Sequence, residues 1–134
     1  MKLIPIPELT DEQWAQAHEA FFSLKNARRM GTDPNLMPPT PTLLQFYSQI
    51  MDRVEAGTFM GWAAIEDDKY VGHAVVDETS GEWEFGVMIQ DESKINSGLG
   101  ARMTLKALRE LFTTTDTEWV MAFINATDPN VKDM

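Results

Sequence analysis

The sequence predicts a single α/β domain in which a mixed, mostly antiparallel sheet carries helices on both faces. Two segments with helical periodicity lie in the first half of the chain, and three β-favouring segments then follow with only short turns between them. One more helical segment precedes a last apolar strand. Strands joined by short turns pair antiparallel, and helices must cover the sheet to bury its apolar faces. The expected order is therefore β-α-α-β-β-β-α-β, in one domain that spans residues 1–134.

The first half of the chain supplies the two helices of one layer. Residues 2–7 are predicted to form a short edge strand, because the two prolines of this segment cannot donate hydrogen bonds in a sheet. The capping box Thr10-Asp11-Glu12-Gln13 predicts a helix that runs to Met30-Gly31. A second helix is predicted from Thr40-Pro41, where proline suits the first helical position, to Gly57. The residues expected to face the core from this second helix are Leu43, Leu44, Tyr47, Ile50, Met51 and Val54.

The second half supplies the centre of the sheet and the helix on its other face. The three central strands are predicted at 58–66, 70–76 and 82–90, separated by the turns Asp67-Asp68-Lys69 and Thr79-Ser80-Gly81. A last buried strand is predicted at 118–124. Between the last two strands lies a helix, whose expected core residues are Ala101, Leu105, Leu108 and Phe112.

The composition excludes several classes of function. The chain has 21 acidic and 11 basic residues, a formal net charge of -10, so non-specific binding to nucleic acid is not expected. An inhibitor that mimics nucleic acid would also be acidic, but the acidic residues here are interspersed with good core positions. With no cysteine and two histidines, neither a disulfide nor a metal site is expected. No apolar run is long enough to cross a membrane and no signal peptide is evident, so a cytoplasmic protein without a membrane partner is expected.

The central motif is a strand, a polar loop that ends in Gly98-Leu99-Gly100, and a helix. The N–H groups of such a loop and of the open helix N-terminus point the same way, and both favour a phosphate. Two phosphate motifs do not fit. The dinucleotide fingerprint would need a third glycine at Met103, and the nucleotide P-loop would need Gly-Lys-Ser/Thr where Gly100-Ala101-Arg102 stands. A tight turn without a ligand is the other interpretation that the two glycines allow.

A third motif matches better. Residues Ile95 to Gly100 resemble the acyl-CoA-binding motif Gln/Arg-x-x-Gly-x-Gly/Ala of the GNAT superfamily of N-acyltransferases. Both glycines match, whereas Ile95 stands where the family has Gln or Arg. In histone-type members the general-base glutamate lies fourteen residues before the first motif glycine, and Glu84 has the same separation from Gly98. The predicted order of elements, up to the fifth strand, is also that of the GNAT fold.

The resemblance implies a site for acetyl-CoA and for an amine acceptor. Glu84 would take a proton from the amine, Gly86 would mark a bulge that parts two strands, and the N–H of Met88 would polarise the thioester carbonyl. His73 on the neighbouring strand is a second candidate base. The residues that the resemblance assigns to acetyl-CoA binding are Met88, Ile89, Gln90, Ile95, Asn96, Ser97, Gly98, Leu99, Gly100, Ala101 and Asn130.

The surroundings of Glu84 allow two interpretations. Burial between Trp83 and Phe85, together with the like charge of Glu82 on the same sheet face, would raise the pKa of Glu84 towards neutrality. Glu82 and Glu84 are equally expected as solvent-facing residues that alternate with buried neighbours. The spacing between Glu84 and Gly98 favours the base interpretation.

The sequence therefore favours an acyl-CoA-dependent N-acyltransferase that transfers an acetyl group to a primary amine of a small molecule or a protein. The alternative is a non-catalytic GNAT-like structural or interaction protein whose fold is completed by a partner. This alternative is motivated by Ile95 and by the absence, after Asn130, of the family's fourth helix, its last two strands and its leaving-group tyrosine. A second copy of the chain that covers the fifth strand is the other expected partner.

Overall fold

The computed structural model describes residues 1–29, 33–36 and 38–122, and it contains a five-stranded sheet in which the strands lie in sequence order. The first four strands pair with one another in antiparallel order, and the fifth runs parallel to the fourth. The mixed, mostly antiparallel sheet predicted from the sequence is confirmed. The strands are β1 (Lys2–Pro5), β2 (Phe59–Glu66), β3 (Lys69–Thr79), β4 (Glu82–Ile89) and β5 (Met121–Ala122).

Helices cover both faces of this sheet. The helices are α1 (Asp11–Phe21), α2 (Leu24–Arg29), α3 (Leu43–Glu55) and α4 (Leu99–Thr114). Residues of α1 and α3 pack with Ala63 and Met88 in one apolar cluster, so we call this side of the sheet the α1/α3 face. Residues of α4 pack with Trp62 and Val76 in a second cluster, on what we call the α4 face. The sheet therefore lies between two apolar layers, as expected for helices on both sides.

The first predicted helix is two helices in the structure. The capping box is confirmed, because the Thr10 hydroxyl accepts from the Gln13 N–H at 3.2 Å and the Gln13 side chain accepts from the Thr10 N–H at 3.0 Å. The prediction that this helix continues to residue 30 is wrong, since α1 ends at Phe21. The Ser23 hydroxyl accepts a hydrogen bond from the Asn26 N–H at 3.1 Å and starts α2, as serine does at helix N-termini.

Helix α3 begins two residues later than predicted and buries only part of the predicted stripe. Its N-cap is Thr42, which forms a second capping box with Gln45. Ile50 is buried, and Met51 and Val54 pack against the core, as expected. Leu43, Leu44 and Tyr47 are instead 40%, 73% and 41% exposed. Phe46 is not in the predicted stripe but is buried, because its ring contacts aromatic side chains of α1 and of the residue that follows α1. These side chains are Trp14, His18, Phe21 and Phe22.

Helix α4 also buries a different face from the one predicted. The buried residues are Leu99, Met103, Ala107 and Leu111, each at most 2% exposed. Leu105 and Phe112 of the predicted stripe are 62% and 42% exposed. Both sets have helical spacing, so periodicity could not distinguish them. The sheet selects the set that contains Ala107, whose small side chain allows the helix to approach closely.

The predicted bulge at Gly86 is absent. The β3–β4 register runs without a shift from Gly72 opposite Ile89 to Thr79 opposite Glu82. A Cβ atom at Gly86 would meet only Val75, at an ordinary 3.6 Å, so this position does not require glycine.

Glycine is required instead at Gly72 of β3. A Cβ atom there would lie 2.6 Å from the backbone oxygen of Met88, which no real side chain tolerates. The absence of a side chain at Gly72 therefore allows β3 to pack closely against the C-terminal end of β4.

The last predicted strand is described only in part. Met121 and Ala122 pair with Glu84 and Phe85, which places β5 beside the first half of β4. Residues 118–120 of the predicted buried strand are not strand, and Trp119 among them is 56% exposed, so this part of the prediction is wrong. Residues 123–124 of the predicted strand and the predicted helix that begins at Asn130 lie outside the described residues. Within the described part of the chain, no helix has the length and apolar character needed to span a membrane.

Candidate functional site

The loop from β4 to α4 is fixed at its start by β3. The N–H of Gln90, which directly follows β4, donates to the Val71 carbonyl at 2.8 Å, and the N–H of Asp91 donates to the same oxygen at 3.2 Å. The Asp91 carboxylate accepts from the Ser93 N–H at 3.0 Å and starts a 3-10 turn at Glu92–Lys94. These contacts set the direction in which the chain leaves the sheet.

The loop then turns into α4 through two left-handed residues. Asn96 has a φ of 65° and Gly98 a φ of 88°. A left-handed conformation is tolerated by asparagine and costs glycine almost nothing, so both residue types fit their positions. A Cβ atom built at Gly98 would meet nothing within 4 Å, which leaves open space in front of the loop.

The N-terminus of α4 has the properties of an anion site. Gly98 is the N-cap, and no described side chain accepts from the first-turn N–H groups of Leu99, Gly100 and Ala101. The first turn also contains no acidic residue. Such a helix end carries a partial positive charge and N–H groups that favour an anion. The prediction that this loop could hold a diphosphate agrees with this geometry and stays a prediction.

The basic side chains near the loop are partly neutralised. Lys94 Nζ lies 2.7 Å from a carboxylate oxygen of Glu66, and its hydrogen bond to this carboxylate raises the pKa of Lys94. Lys106 pairs with Glu110 one turn further along α4, at 3.0 Å. Among the described residues, the other basic side chains of α4 are Arg102 and Arg109, both exposed.

Glu84 lies on the α1/α3 face of β4, beside the point at which β5 joins the sheet. It is half-buried, and its carboxylate accepts from the Thr79 hydroxyl at 3.1 Å. Its partner across the ladder is Asp77, which forms an ion pair with Arg53. Trp83 and Phe85 do not enclose it, because alternate strand residues point to opposite faces and these two pack on the α4 face.

The two edges of β4 present different N–H groups. Backbone groups of successive strand residues point to opposite edges, and the N–H of Gln90 points to β3. The N–H of Met88, opposite His73, therefore also lies on the β3 edge, whereas the N–H of Val87 lies on the β5 edge. An acyl group lying between β4 and β5 would therefore meet the N–H of Val87, and the role predicted for Met88 stays a prediction.

His73 is placed as a structural residue. It is 7% exposed, its ring stacks on Phe21, and its Nδ1 atom forms a hydrogen bond with the Tyr70 hydroxyl. Burial lowers the pKa of His73 to about 3 and raises that of Tyr70. A histidine with so low a pKa is a weak base, so the structure does not support His73 as the second candidate base.

The predicted site residues within the described chain are spread along β4 and the loop that follows it, and their roles stay predictions. Glu84 and the loop from Ile95 to Ala101 lie at opposite ends of β4, with Val87 between them. Asn130 lies outside the described residues. Two residues used in the proposals below were not predicted from the sequence. Val87 could have been found by asking which N–H groups of β4 point away from β3. Asn26 could not, because its contact with Gln90 spans 64 residues and leaves no local sequence signal. Within the described residues no group of three or more His, Asp or Glu side chains is placed to hold a metal ion.

The sequence matches no protein-family model and no curated protein. Solved structures do resemble the fold. A chimera of the spermidine N-acetyltransferase SpeG from Vibrio cholerae and hSSAT superposes with a TM-score of 0.67 and 12% identity, over 99% of this chain and 77% of that one. The aminoglycoside acetyltransferase AAC(6')-Iy, in complex with the bisubstrate analogue CoA-S-monomethyl-acetylneamine, superposes with a TM-score of 0.64 and 12% identity. The match covers 99% of this chain and 86% of that one. A Trypanosoma brucei acetyltransferase superposes with a TM-score of 0.62 and 16% identity, over 93% of this chain and 83% of that one.

These similarities establish the fold and nothing finer. At such identities the side chains of the site cannot be transferred from one protein to another. The chain has the fold of the GNAT acetyltransferases, as its order of elements predicted, and its chemistry must be argued from its own residues.

Proposed function

We propose that this protein is an acyl-CoA-dependent N-acyltransferase that transfers an acetyl group from acetyl-CoA to a primary amine of a small molecule or a protein. The observation that carries the proposal is the uncapped N-terminus of α4 at the end of β4, within the GNAT fold. Support comes also from the similar structures, which are described as acetyltransferases, one of them in complex with a CoA bisubstrate analogue.

The backbone from Asn96 to Ala101 fits the diphosphate of acetyl-CoA. The N–H groups at the start of α4 supply donors, and the open space at Gly98 allows close approach. Because backbone groups would do this, the replacement of the family's Gln or Arg by Ile95 does not remove the main donors. The raised pKa of Lys94 results from its contact with Glu66, so we assign Lys94 to holding the loop.

The β5 edge of β4 fits the acyl end of the same molecule. The described pairing with β5 covers Glu84 and Phe85, and Val87 lies further along the same edge. In this proposal the Val87 N–H donates to the thioester oxygen and stabilises the negative charge that develops there during attack. Acetyl-CoA supplies an electrophilic carbonyl carbon and a thiolate leaving group.

Glu84 is the proposed general base. Three strand residues span about 10 Å, so a glutamate side chain and one water can connect Glu84 to an amine near Val87. Through the water, Glu84 takes one proton from the ammonium group and leaves a neutral amine. The amine nitrogen then bonds to the acyl carbon, the carbon–sulfur bond breaks, and the second proton of the nitrogen passes to the leaving thiolate. The ion pair with Arg53 neutralises Asp77, so the exposed Glu82 and Glu84 itself supply the negative charge that suits the approach of a cationic amine.

Calorimetry with CoA and acetyl-CoA tests the proposal. We expect saturable one-to-one binding of both, with a dissociation constant that rises with salt concentration because phosphates are bound. Turnover with a panel of primary amines then identifies the acceptor. Failure of either ligand to bind at high micromolar concentration would refute the enzymatic function.

A second function, a non-catalytic interaction protein, is favoured by the outward face of α4. Leu105 and Phe112 on α4, and Trp119 beyond it, are 62%, 42% and 56% exposed. Exposed apolar residues on one helix face are typical of contact surfaces. This alternative predicts a stable oligomer that does not bind CoA, and a monomer that turns over acetyl-CoA would exclude it.

A further inference from the structure

The side chain of Asn26 joins α2 to the preceding helix α1 and to Gln90 at the end of β4, which lies 64 residues away in sequence. Asn26 belongs to α2 and is 6% exposed. Its Nδ2 atom donates to the Ala20 carbonyl in the last turn of α1 at 3.3 Å, and also to the Oε1 atom of Gln90. A buried amide normally has its hydrogen bonds satisfied, and these two contacts satisfy both of its donors. The contact with Gln90 is therefore part of how α2 is held in place.

Gln90 occupies the point where β4 becomes the loop that leads to α4. Its backbone N–H is held by Val71 of β3 at 2.8 Å, and its side chain is held by Asn26. Gln90 is two positions after Met88, so its side chain points to the same α1/α3 face, where it meets Asn26 of α2. The end of β4 is thus fixed from the sheet by a backbone bond and from the helical layer by a side-chain bond.

A second contact between the same two segments is weaker. Lys25 Nζ lies 3.5 Å from a carboxylate oxygen of Glu92, but the two side chains are 77% and 53% exposed. Exposed ion pairs contribute little, whereas a buried amide left without its partner costs more. Of the two contacts, Asn26–Gln90 is the one that can fix the geometry.

We propose that Asn26 is a positioning residue for acyl-CoA, and that its hydrogen bond to Gln90 holds the end of β4 where the thioester and the diphosphate must be bound together. This inference rests on the proposed function. Val87 and the α4 N-terminus lie on either side of Gln90, so a small rotation at Gln90 changes their separation. The helix α2 lies on the same side of the sheet as the Glu84 side chain. The hydrogen bond between Asn26 and Gln90 therefore also fixes this helical layer relative to β4.

Two single variants and their combination test the bond. Asn26→Leu replaces the amide by an apolar group of similar size, and Gln90→Met removes the acceptor while leaving the backbone intact. We expect each to weaken CoA binding by roughly tenfold, the effect of losing about 1.4 kcal/mol, which is typical of one hydrogen bond. The double variant should bind CoA no more weakly than either single variant, because both remove the same bond.

Ser23→Ala is the matched control. It removes the cap of α2 and so destabilises the same helix without touching Gln90. If Asn26 acts through Gln90, Ser23→Ala lowers the melting temperature but leaves CoA affinity unchanged. If Ser23→Ala weakens CoA binding as much as Asn26→Leu does, Asn26 merely stabilises α2 and the inference is overturned.

The two proposals fail in different ways. A wild-type protein that does not bind CoA refutes the proposed function itself. A wild-type protein that binds CoA, with a folded Asn26→Leu or Gln90→Met variant of equal affinity, refutes the positioning role alone. Since Gln90 is only half-buried, its variant is expected to fold even where Asn26→Leu does not.

Discussion

The imidazole of His73 stacks on the ring of Phe21, with the ring centroids 4.0 Å apart and the planes inclined by 20°. This contact joins β3 to α1 across the α1/α3 face. It also excludes water from a titratable ring, and for that reason the pKa of His73 falls to about 3 from an ordinary 6.5. A buried neutral histidine stabilises the fold only while it remains neutral.

The first prediction is that His73 makes the protein less stable as the pH decreases from 6.5 to 3. Between pH 6.5 and 3 the unfolded chain binds a proton at this residue and the folded chain does not, so the free energy of unfolding rises with pH in this window. His73 contributes a slope of up to about 1.4 kcal/mol per pH unit. The His73→Gln variant lacks this contribution. The free energy of unfolding of the variant, measured in urea, should therefore approach that of the wild type as the pH falls.

Tyr70→Phe is the control for this prediction. It removes the hydrogen bond to His73 but keeps the ring and the burial. Since burial is the cause of the low pKa, the slope should persist in this variant. Parallel profiles for wild type and His73→Gln between pH 6.5 and 4 would contradict the assignment.

The second prediction concerns Ala101, an exposed residue in the first turn of α4. Ala101→Asp places a carboxylate where the helix dipole favours one, so stability should rise by roughly 0.3–1 kcal/mol. The same carboxylate would repel a bound diphosphate, so CoA affinity should fall by more than about tenfold. Thermal unfolding and calorimetry measure the two effects, which have opposite signs.

Ala101→Asn has nearly the same shape without the charge, and it should retain most of the CoA affinity. If Ala101→Asp bound CoA as well as this control does, the diphosphate would have to lie elsewhere than at the α4 N-terminus.

The third prediction separates the two acidic residues on one face of β4. Glu84→Gln should lower kcat by roughly 10²–10⁴, the usual contribution of a general base, with CoA affinity unchanged. Glu82→Gln removes an equal charge from an exposed residue two positions away and should leave kcat close to that of the wild type. Equal losses in both variants would mean that only the local negative charge matters.

More of the fold than of the candidate site could be predicted from this sequence. Order and type of elements follow from local signals such as the Thr10 capping box and the turns around β3. The buried face of α4 does not, because Leu105 and Leu111 both have helical spacing and only the sheet decides between them. The choice between the N–H groups of Met88 and Val87 could not be predicted for a similar reason, since it depends on the register of β4 against β3.

The fourth prediction tests this choice of α4 face directly. Leu111→Ala removes a side chain that is fully buried against the sheet and should lower the free energy of unfolding by about 2–5 kcal/mol. Leu105→Ala makes the same chemical change on the 62% exposed side, where a surface substitution should stay within about 0.5 kcal/mol. Urea unfolding of the two variants gives both numbers. A large loss in Leu105→Ala would mean that a partner or another part of the chain covers this face in solution, and the interaction protein would then become the stronger of the two functions.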